Sequence, residues 1–442
     1  MQKKIRQAVS IILRSQDKIF VVKRQNHLKA FPGYTAFPGG KVDKVDKRET
    51  LYETLKTSAI REIKEELQFD ISEIFPTNFY AKATSPDFNP LRYETYFFLI
   101  ELDSIPNLII DEDEVARSWW ISADEIIKDF DLGNHLMVYP VRRVLESLGE
   151  KVSVDNDELL KFDDRVEAIP CIEPLKHFFQ LMPLSNTVPP AERTNSFIIG
   201  DDEKILIDPS PKNQSEYTTF LNAIKNYNIS KIVISHHHKD HHQYSTNLAK
   251  DLDLPIYISS DSENRIRRIY GTHYFKNIVV YNLAEGDILG TWLGQAIKAY
   301  EIPGHDEGHI GFAPENLNWF IVGDLFQGIG TVVVGGEEGD MSKYMASLQK
   351  VIALSPRCVI PSHGIALGGT NILQKTFDHR LIREKQILDL YNSGQSVDEI
   401  LSNIYFDLPL KIVPYAKANI VSHLSKLRLE NKLSKIYTLN KS

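Results

Sequence analysis

Apolar residues recur along this chain at two spacings, and the switch between them marks out its elements. Near the start, AVSIIL and KIFVVKR are short runs rich in β-branched residues on either side of RSQD, the pattern of two strands joined by a turn. A glycine-rich corner, FPGYTAFPGG, follows. In KTSAIREIKEELQF, Ala59, Ile60, Ile63 and Leu67 fall at helical spacing, and an amphipathic helix over VYPVRRVLESLGE closes the first stretch near residue 150. The acidic, weakly periodic DNDELLKFDDRVEA reads as a linker or a loosely packed helix. From about Leu181, short apolar strands alternate with helices: NSFIIG, KILIDPS, KIVISHHH, PIYISS, IKAYEIPGH, NWFIVGD and RCVIPSHG. Most of these strands end in polar residues, where α/β and layered αββα proteins assemble sites from loops. The last 70 residues read as mainly helical, with SVDEILSNIY and AKANIVSHLSKLRLENKL, then a short KLSKIYTL segment.

At 442 residues, two to three domains are expected. The boundaries that the pattern suggests are 1–150, a linker over 151–180, 181–370 and 371–442, in a mixed α/β and α+β architecture. Apolar residues at 42% and charged residues at 25% are the balance of a folded globular protein and exclude a disordered or fibrous chain. A formal charge of −8 excludes a wholesale nucleic-acid coat and leaves room for a local basic patch. That patch is at the end: Lys411 to Ser442 holds seven Lys or Arg against Glu430 alone, a net +6, so the rest carries −14. A solvated helix face, packed through Leu424, Leu427 and Leu429, explains the same residues without an anionic partner. Cys171 and Cys358 are the only cysteines, too few for a disulfide framework, so a reducing, cytoplasmic setting is expected. No apolar run approaches the length of a membrane helix.

The densest chemistry is His236-His237-His238-Lys239-Asp240-His241, directly after KIVIS. Its HxHxDH pattern packs four ligands into one turn, a donor set suited to zinc or a similar divalent cation. His305, Asp324 and His363 each end a further apolar strand. A histidine-rich surface tract does not account for three more ligands at three separate strand ends. Seven ligands are what two adjacent metals require, with Asp324 placed to bridge, and such a pair acidifies water and clamps the oxygens of an in-line displacement.

HxHxDH, then His, Asp and His, in this order and after strands, resembles the metallo-β-lactamase superfamily. Asp208 in ILIDPS matches that family's first motif, an acid that supports the site from behind. The resemblance implies an αββα sandwich in which His236, His238 and His305 hold one Zn²⁺, and Asp240, His241 and His363 the other. Asp324 would be shared, and Asp240 would also be catalytic. His242 departs from the pattern, standing where a small residue is common. Within the superfamily, DLFQGIGTVVVGGEEGDMSKYMASLQKV, HRLIREKQIL and AKANIVSHLSKLRLENKL look like the β-lactamase-like protein 2 group. That likeness spans roughly residues 180 to 440. It implies metal-dependent cleavage of single-stranded RNA and a winged-helix-like C-terminal domain.

A second signal lies in Arg61-Glu62-Ile63-Lys64-Glu65-Glu66. Glu62, Glu65 and Glu66 share one helical face, where three like charges call for a cation such as Mg²⁺. Alone, REIKEEL is an ordinary surface helix salt-bridged through Arg61 and Lys64. Upstream, Gly39-Gly40 in FPGG and Glu53, seven residues before Arg61, make the segment resemble the Nudix box. The gap from Gly40 to Glu53 is twelve residues where the family has five, and Gln68 replaces the glycine that follows the box. SWWISADEI looks like the end of a Nudix domain, and FPGYTAFPGGKVDKVD looks most like the coenzyme A diphosphatase branch. The resemblance implies an α/β/α sandwich in which Glu62, Glu65 and Glu66 bind Mg²⁺ or Mn²⁺. Glu53 would assist and Arg61 would orient Glu62, so that water attacks a diphosphate linkage.

Two pairings of chemistry follow. The first is cleavage of single-stranded RNA joined to a Nudix activity on a nucleoside diphosphate-linked substrate or a capped end. The second is thioester hydrolysis, as in glyoxalase II relatives, joined to cleavage of a coenzyme A-type small molecule. A third reading, of a different class, is a ligand-sensing nucleic-acid-binding protein with an inactive Nudix module, which the complete ligand set argues against. No membrane partner is expected, and the sequence is compatible with an oligomer.

Overall fold

In the computed structural model, β1 (Ile5–Ser15) and β2 (Lys18–Arg24) form the hairpin expected around RSQD, with Arg14 opposite Ile19 and Ser15 opposite Lys18. The structure describes residues 5–85, 92–149, 165–166 and 168–433. It divides into Met1–Met182 with Leu367–Gly369, and Pro183–Ala366 with Thr370–Ser442.

The first unit is built on one mixed sheet. To β1 and β2 it adds β3 (Thr35–Ala36), β4 (Ala81–Thr84), β5 (Arg92–Leu102) and β6 (Val115–Ser122), in the order β3-β2-β1-β5-β4 with β6 also pairing β2. Side chains of β1 alternate between its faces. Val9, Ile11 and Leu13 pack with Leu55, Ala59, Ile63 and Leu67 of helix α1 (Leu51–Leu67). Ile12 meets Ile126 and Phe130 of α2 (Ala123–Asp131) and Val144 and Leu145 of α3 (Tyr139–Gly149) on the other face. This is the α/β/α sandwich expected of a Nudix domain. Helix α1 starts at Thr50, whose hydroxyl accepts from Glu53 N (3.1 Å), and ends at Gln68 in the left-handed region, φ +50°. Most of DNDELLKFDDRVEA lies outside the described residues. Its Arg165–Val166 is a strand, β7, that pairs with β8 (Ile169–Leu175), and β8 runs on into β9 (Phe178–Leu181).

The second unit has two sheets. In the first, β10 (Ser196–Ile199) is antiparallel to β11 (Lys204–Ile207). Parallel β12 (Ile229–Val233), β13 (Ile256–Ser259) and β14 (Val280–Leu283) continue it. The connections carry α4 (Gln214–Ile224), α5 (Lys239–His242), α6 (Ser245–Asp251) and α7 (Ser260–Tyr270). The second sheet runs β15 (Ile288–Trp292), β16 (Gln295–Glu301), β17 (Ile310–Pro314), β18 (Phe320–Gly323) and β19 (Cys358–Pro361), with α8 (Met341–Leu354) between the last two. Its strands are apolar and mostly sealed: every residue of β17, β18 and β19 is buried. Trp292 and Trp319 meet edge-on, 5.8 Å apart, in that core. This is the metallo-β-lactamase fold.

The C-terminal region is helical in its described part. It comprises α9 (Asn371–Asn392), α10 (Val397–Ile404) and α11 (Val413–Leu429), packed around Ile387, Tyr391, Ile400, Ile420 and Leu424. From Ser434 on, the KLSKIYTL segment lies outside the described residues. No described helix is long and apolar enough to cross a membrane.

Candidate metal centre

Each predicted ligand of the second unit stands in the segment that follows a strand. After β12 the chain turns through Ser235 and His236, and His238, still extended (φ −66°, ψ 138°), caps the single turn of α5 that carries Asp240 and His241. His305 follows β16, Asp324 follows β18 and His363 follows β19. Gly323 sits at φ +56°, and a Cβ there would lie 2.2 Å from His309 Nε2. Only glycine therefore lets β18 deliver Asp324.

The seven side chains converge. His236 Nε2 and His305 Nε2 both lie within 3.0 Å of His238 Nδ1, at 2.9 and 3.0 Å. His363 Nε2 is 3.7 Å from Asp240 Oδ2, and His241 Nε2 is 3.8 Å from the same oxygen. Asp324 stands between these sets, Oδ2 at 3.6 Å from His305 and 3.7 Å from His241, Oδ1 at 3.4 Å from His363. His241 Nε2, His363 Nε2 and Asp324 Oδ1 are buried without a hydrogen-bond partner. Buried polar atoms without partners are costly unless a cation satisfies them, so this donor set fits two divalent metals.

Behind the ligands, their second ring nitrogens are held. Ser235 Oγ lies 3.0 Å from His236 Nδ1, Asp208 Oδ2 2.8 Å from His241 Nδ1, the Val333 carbonyl 2.7 Å from His305 Nδ1, and the Arg193 carbonyl 2.9 Å from His363 Nδ1. Glu338 Oε1 is 3.4 Å from His238 Nε2. Such partners fix which nitrogen faces the metal. Electrostatics inside the pocket are polarised. Burial and the neighbouring imidazoles push His236 well below its ordinary value. Burial opposes charge on Asp324, yet His363 and His241 outweigh it and hold the carboxyl well below the usual range. Asp240, reached by Thr194 Oγ1 at 3.2 Å, is likewise lowered against its burial by His241 and His363. His242 is no spare ligand: its Nε2 donates to the His237 carbonyl (2.9 Å), its Nδ1 pairs with Tyr274 Oη (2.8 Å), and burial pushes it down to about 3.

In the first unit, α1 presents its acids unequally. Glu66 is buried, accepts from Gly39 N (3.1 Å) and is pushed up to about 8 by burial. Glu62, raised to about 6 by burial, bonds Arg61 Nη2 (2.8 Å), and the exposed Glu65 bonds Arg61 Nη1 (2.7 Å). Gly40 lies against Glu62: a Cβ there would come within 2.3 Å of Oε2. Among the described residues, Glu62, Glu65 and Glu66 do not gather into one donor cluster as the histidines do. Glu53 sits exposed in the first turn of α1. Arg61 is also gripped by Asp46, which sequence reasoning missed: Nε to Oδ1 is 2.9 Å and Nη2 to Oδ2 is 2.8 Å. A signal existed, because Asp46 follows Gly40 by the five-residue gap of the Nudix box. Glu114, on the turn before β6, adds its charge to both Glu62 and Glu66.

The basic C-terminal helix is less free than its composition suggests. Lys426 is buried against Glu384 (2.7 Å) and also meets Glu430 (2.9 Å), Lys417 pairs with Asp398 (2.7 Å), and Lys432 pairs with Glu430 (2.7 Å).

Residues 189–363 match the metallo-beta-lactamase superfamily, and residues 4–139 match the NUDIX domain. Over 255 residues the chain is 28% identical to the Beta-lactamase-like protein 2 homolog of Drosophila melanogaster, covering 54% of this chain and 84% of that protein. It is also 28% identical over 169 residues to a hydroxyacylglutathione hydrolase of Bdellovibrio bacteriovorus, covering 37% of this chain and 60% of that one. A crystal structure of a beta-lactamase domain protein from Burkholderia ambifaria shares the fold, with a TM-score of 0.52 at 17% identity, covering 61% of this chain and 91% of that one.

Proposed function

We propose that this chain, a hydrolase made of a metallo-β-lactamase domain with a Nudix domain before it, cleaves phosphodiester bonds of single-stranded RNA at its seven-ligand centre. The Nudix domain would hydrolyse a nucleoside diphosphate-linked substrate. In this reading His236, His238 and His305 hold one Zn²⁺ or similar cation, Asp240, His241 and His363 a second, and Asp324 both. Glu62, Glu65 and Glu66 would hold Mg²⁺ or Mn²⁺, with Arg61 orienting Glu62. The cations supply charge that polarises the scissile phosphate and acidifies water. The chain's own groups would do the positioning: Asp240, steadied by Thr194, would orient the attacking water.

The observation that carries the RNA reading is the extent of the match to the β-lactamase-like protein 2 homologue. At 255 residues, it is longer than the 189–363 segment of the lactamase-like family. The match to the hydroxyacylglutathione hydrolase is shorter, at 169 residues. Its name nonetheless supports a second reading, thioester hydrolysis, and the internal pairing of Lys417, Lys426 and Lys432 favours it too, because paired lysines attract phosphates weakly.

One assay separates the two. Zinc-loaded protein is given end-labelled single-stranded RNA and an acyl-coenzyme A side by side, with His236→Ala as the blank. Internal RNA cleavage with an intact thioester is the expected result. Thioester cleavage with intact RNA would replace the RNA reading by the second one.

A further inference from the structure

Two ligands of the same metal position, His238 and His305, are steadied by a single loop. Val333 offers its carbonyl to His305 Nδ1 at 2.7 Å, and five residues later Glu338 reaches His238 Nε2 at 3.4 Å. Between β18 and α8 this stretch, TVVVGGEEGD, is glycine-rich and forms no strand or helix, so its own backbone cannot hold it in place.

The C-terminal helices hold it instead. Val334 N donates to Asn419 Oδ1 of α11 at 2.9 Å. Arg380 of α9 donates through Nη2 to the Val332 carbonyl at 2.7 Å and through Nη1 to the same Asn419 oxygen at 3.2 Å. The residues on both sides of Val333 are thus pinned by one buried Arg–Asn pair. Both side chains are at most 6% exposed, where an amide or guanidinium is retained only if its bonds are made. Further along, Met341 N donates to Ser422 Oγ at 3.1 Å, and Asp340 N donates to the Gly304 carbonyl, next to His305, at 2.8 Å. Gly335 passes so close to α11 that a Cβ would lie 2.8 Å from Ala418.

We propose that residues 332–340 act as a brace through which α9 and α11 set the affinity of the metal position formed by His236, His238 and His305. Glu338 and the Val333 carbonyl orient the two imidazoles, and Arg380 and Asn419 are positioning residues that keep the brace at its working distance. This rests on the two-metal reading of the site. It gives the C-terminal helices a role independent of any nucleic acid: with the brace loose, His238 and His305 swing and the first cation is held more weakly.

The test is zinc affinity of metal-stripped full-length protein, measured by competition with a chromophoric chelator. A His363→Ala background leaves the first position as the intact one. Adding Glu338→Ala to that background is expected to weaken zinc binding by about 10- to 100-fold, the usual effect of removing an outer partner. Glu338→Gln, whose amide oxygen still accepts from His238, is expected to restore most of it. Asn419→Ala is expected to weaken binding in the same direction, whereas Asn419→Asp, which keeps the acceptor, is not. Circular dichroism on each metal-free variant identifies any loss of helix, and Glu338, on a half-buried loop, carries the test if Asn419→Ala unfolds α11. Equal affinity with and without Glu338→Ala, or equal losses in the Ala and Gln variants, overturns the brace. If wild-type protein takes up fewer than two zinc ions, the two-metal reading itself fails, and that outcome is read before any variant is compared.

Discussion

Arg61 and Asp46 meet as a two-pronged pair, Nε on Oδ1 and Nη2 on Oδ2, across fifteen positions of sequence. Burial works against a charge on Asp46, but Arg61 and the Asp43 backbone outweigh it and hold the carboxyl below the usual range. Asp46, first among its partners, holds the guanidinium charge up in return. With one edge of Arg61 fixed, its remaining donors aim at Glu62 and Glu65. Asp46→Asn removes that fixed edge. Misplacing a catalytic group by about 1 Å can cost about 100-fold, so the Nudix kcat should fall by roughly that factor while KM changes little. Steady-state kinetics at saturating Mg²⁺ decide it; a Glu53→Gln variant that loses as much would move the role back to Glu53.

If the proposed reading of the first unit holds, protons and Mg²⁺ compete for the same carboxylates. Glu66, at about 8, and Glu62, at about 6, lie above their ordinary value near 4.5 because of burial. A folded-state value raised above the unfolded one means that the folded chain keeps the proton longer, so the metal-free domain loses stability as pH rises from about 4.5 to 8. A cation reverses this by taking the proton's place. Mg²⁺ affinity is expected to rise about tenfold per pH unit between 6.5 and 7.5, where Glu66 must give up one proton, and to level off above 8. Calorimetric titration at three pH values measures this, and an affinity that is flat from pH 6.5 to 8.5 contradicts it.

Helix α1 ends on a residue that pays a steric penalty. Gln68 sits at φ +50° with its N–H on Lys64 O, a conformation that costs a residue with a Cβ about 1–2 kcal/mol. Gln68→Gly should stabilise the first unit by up to about 1 kcal/mol after glycine's greater freedom in the unfolded chain is counted. Melting would move up by about 2–4 °C for a unit of this size, and an unchanged or lower Tm counts against the strain.

His236→Ala should empty the first metal position and abolish the activity of the second unit, leaving diphosphate hydrolysis by the Nudix domain intact. Asp208→Asn keeps the shape but weakens the acceptor behind His241 and is expected to cost about 10- to 100-fold in metal affinity. Zinc content and both activities, measured on the same preparations, check the pair. Loss of both activities together in folded His236→Ala protein would argue for one shared site.

The convergence of the seven donor side chains of the second unit is legible in the chain, because they follow apolar runs and a fold that ends its strands at one edge brings such residues together. What steadies them is not. The Val333 carbonyl serves a histidine 28 positions earlier and Glu338 one 100 positions earlier, and neither carries a mark that distinguishes it from other loop residues. In the first unit the two ends of the motif point to different acids. Counted back from Arg61, Glu53 has the family's spacing; counted forward from Gly40, Asp46 has it. Packing separates the two acids, burying Asp46 against Arg61 and leaving Glu53 exposed. The pairing of the basic tail is not legible, because composition counts charges and does not see that Lys426 is matched by Glu384, 42 positions away.

The contact between Val334 and Asn419 joins residues 85 positions apart, and this fixes an order of events in the making of the protein. At about 5–20 residues per second of synthesis, helix α11 follows the metal-ligand loop out of the ribosome by roughly 4 to 17 s. Throughout that interval His236, His238 and His305 exist without their brace. A nascent chain can therefore collapse around its strands before this contact forms, and on the proposed reading the first cation position reaches its full affinity only after α11 has emerged.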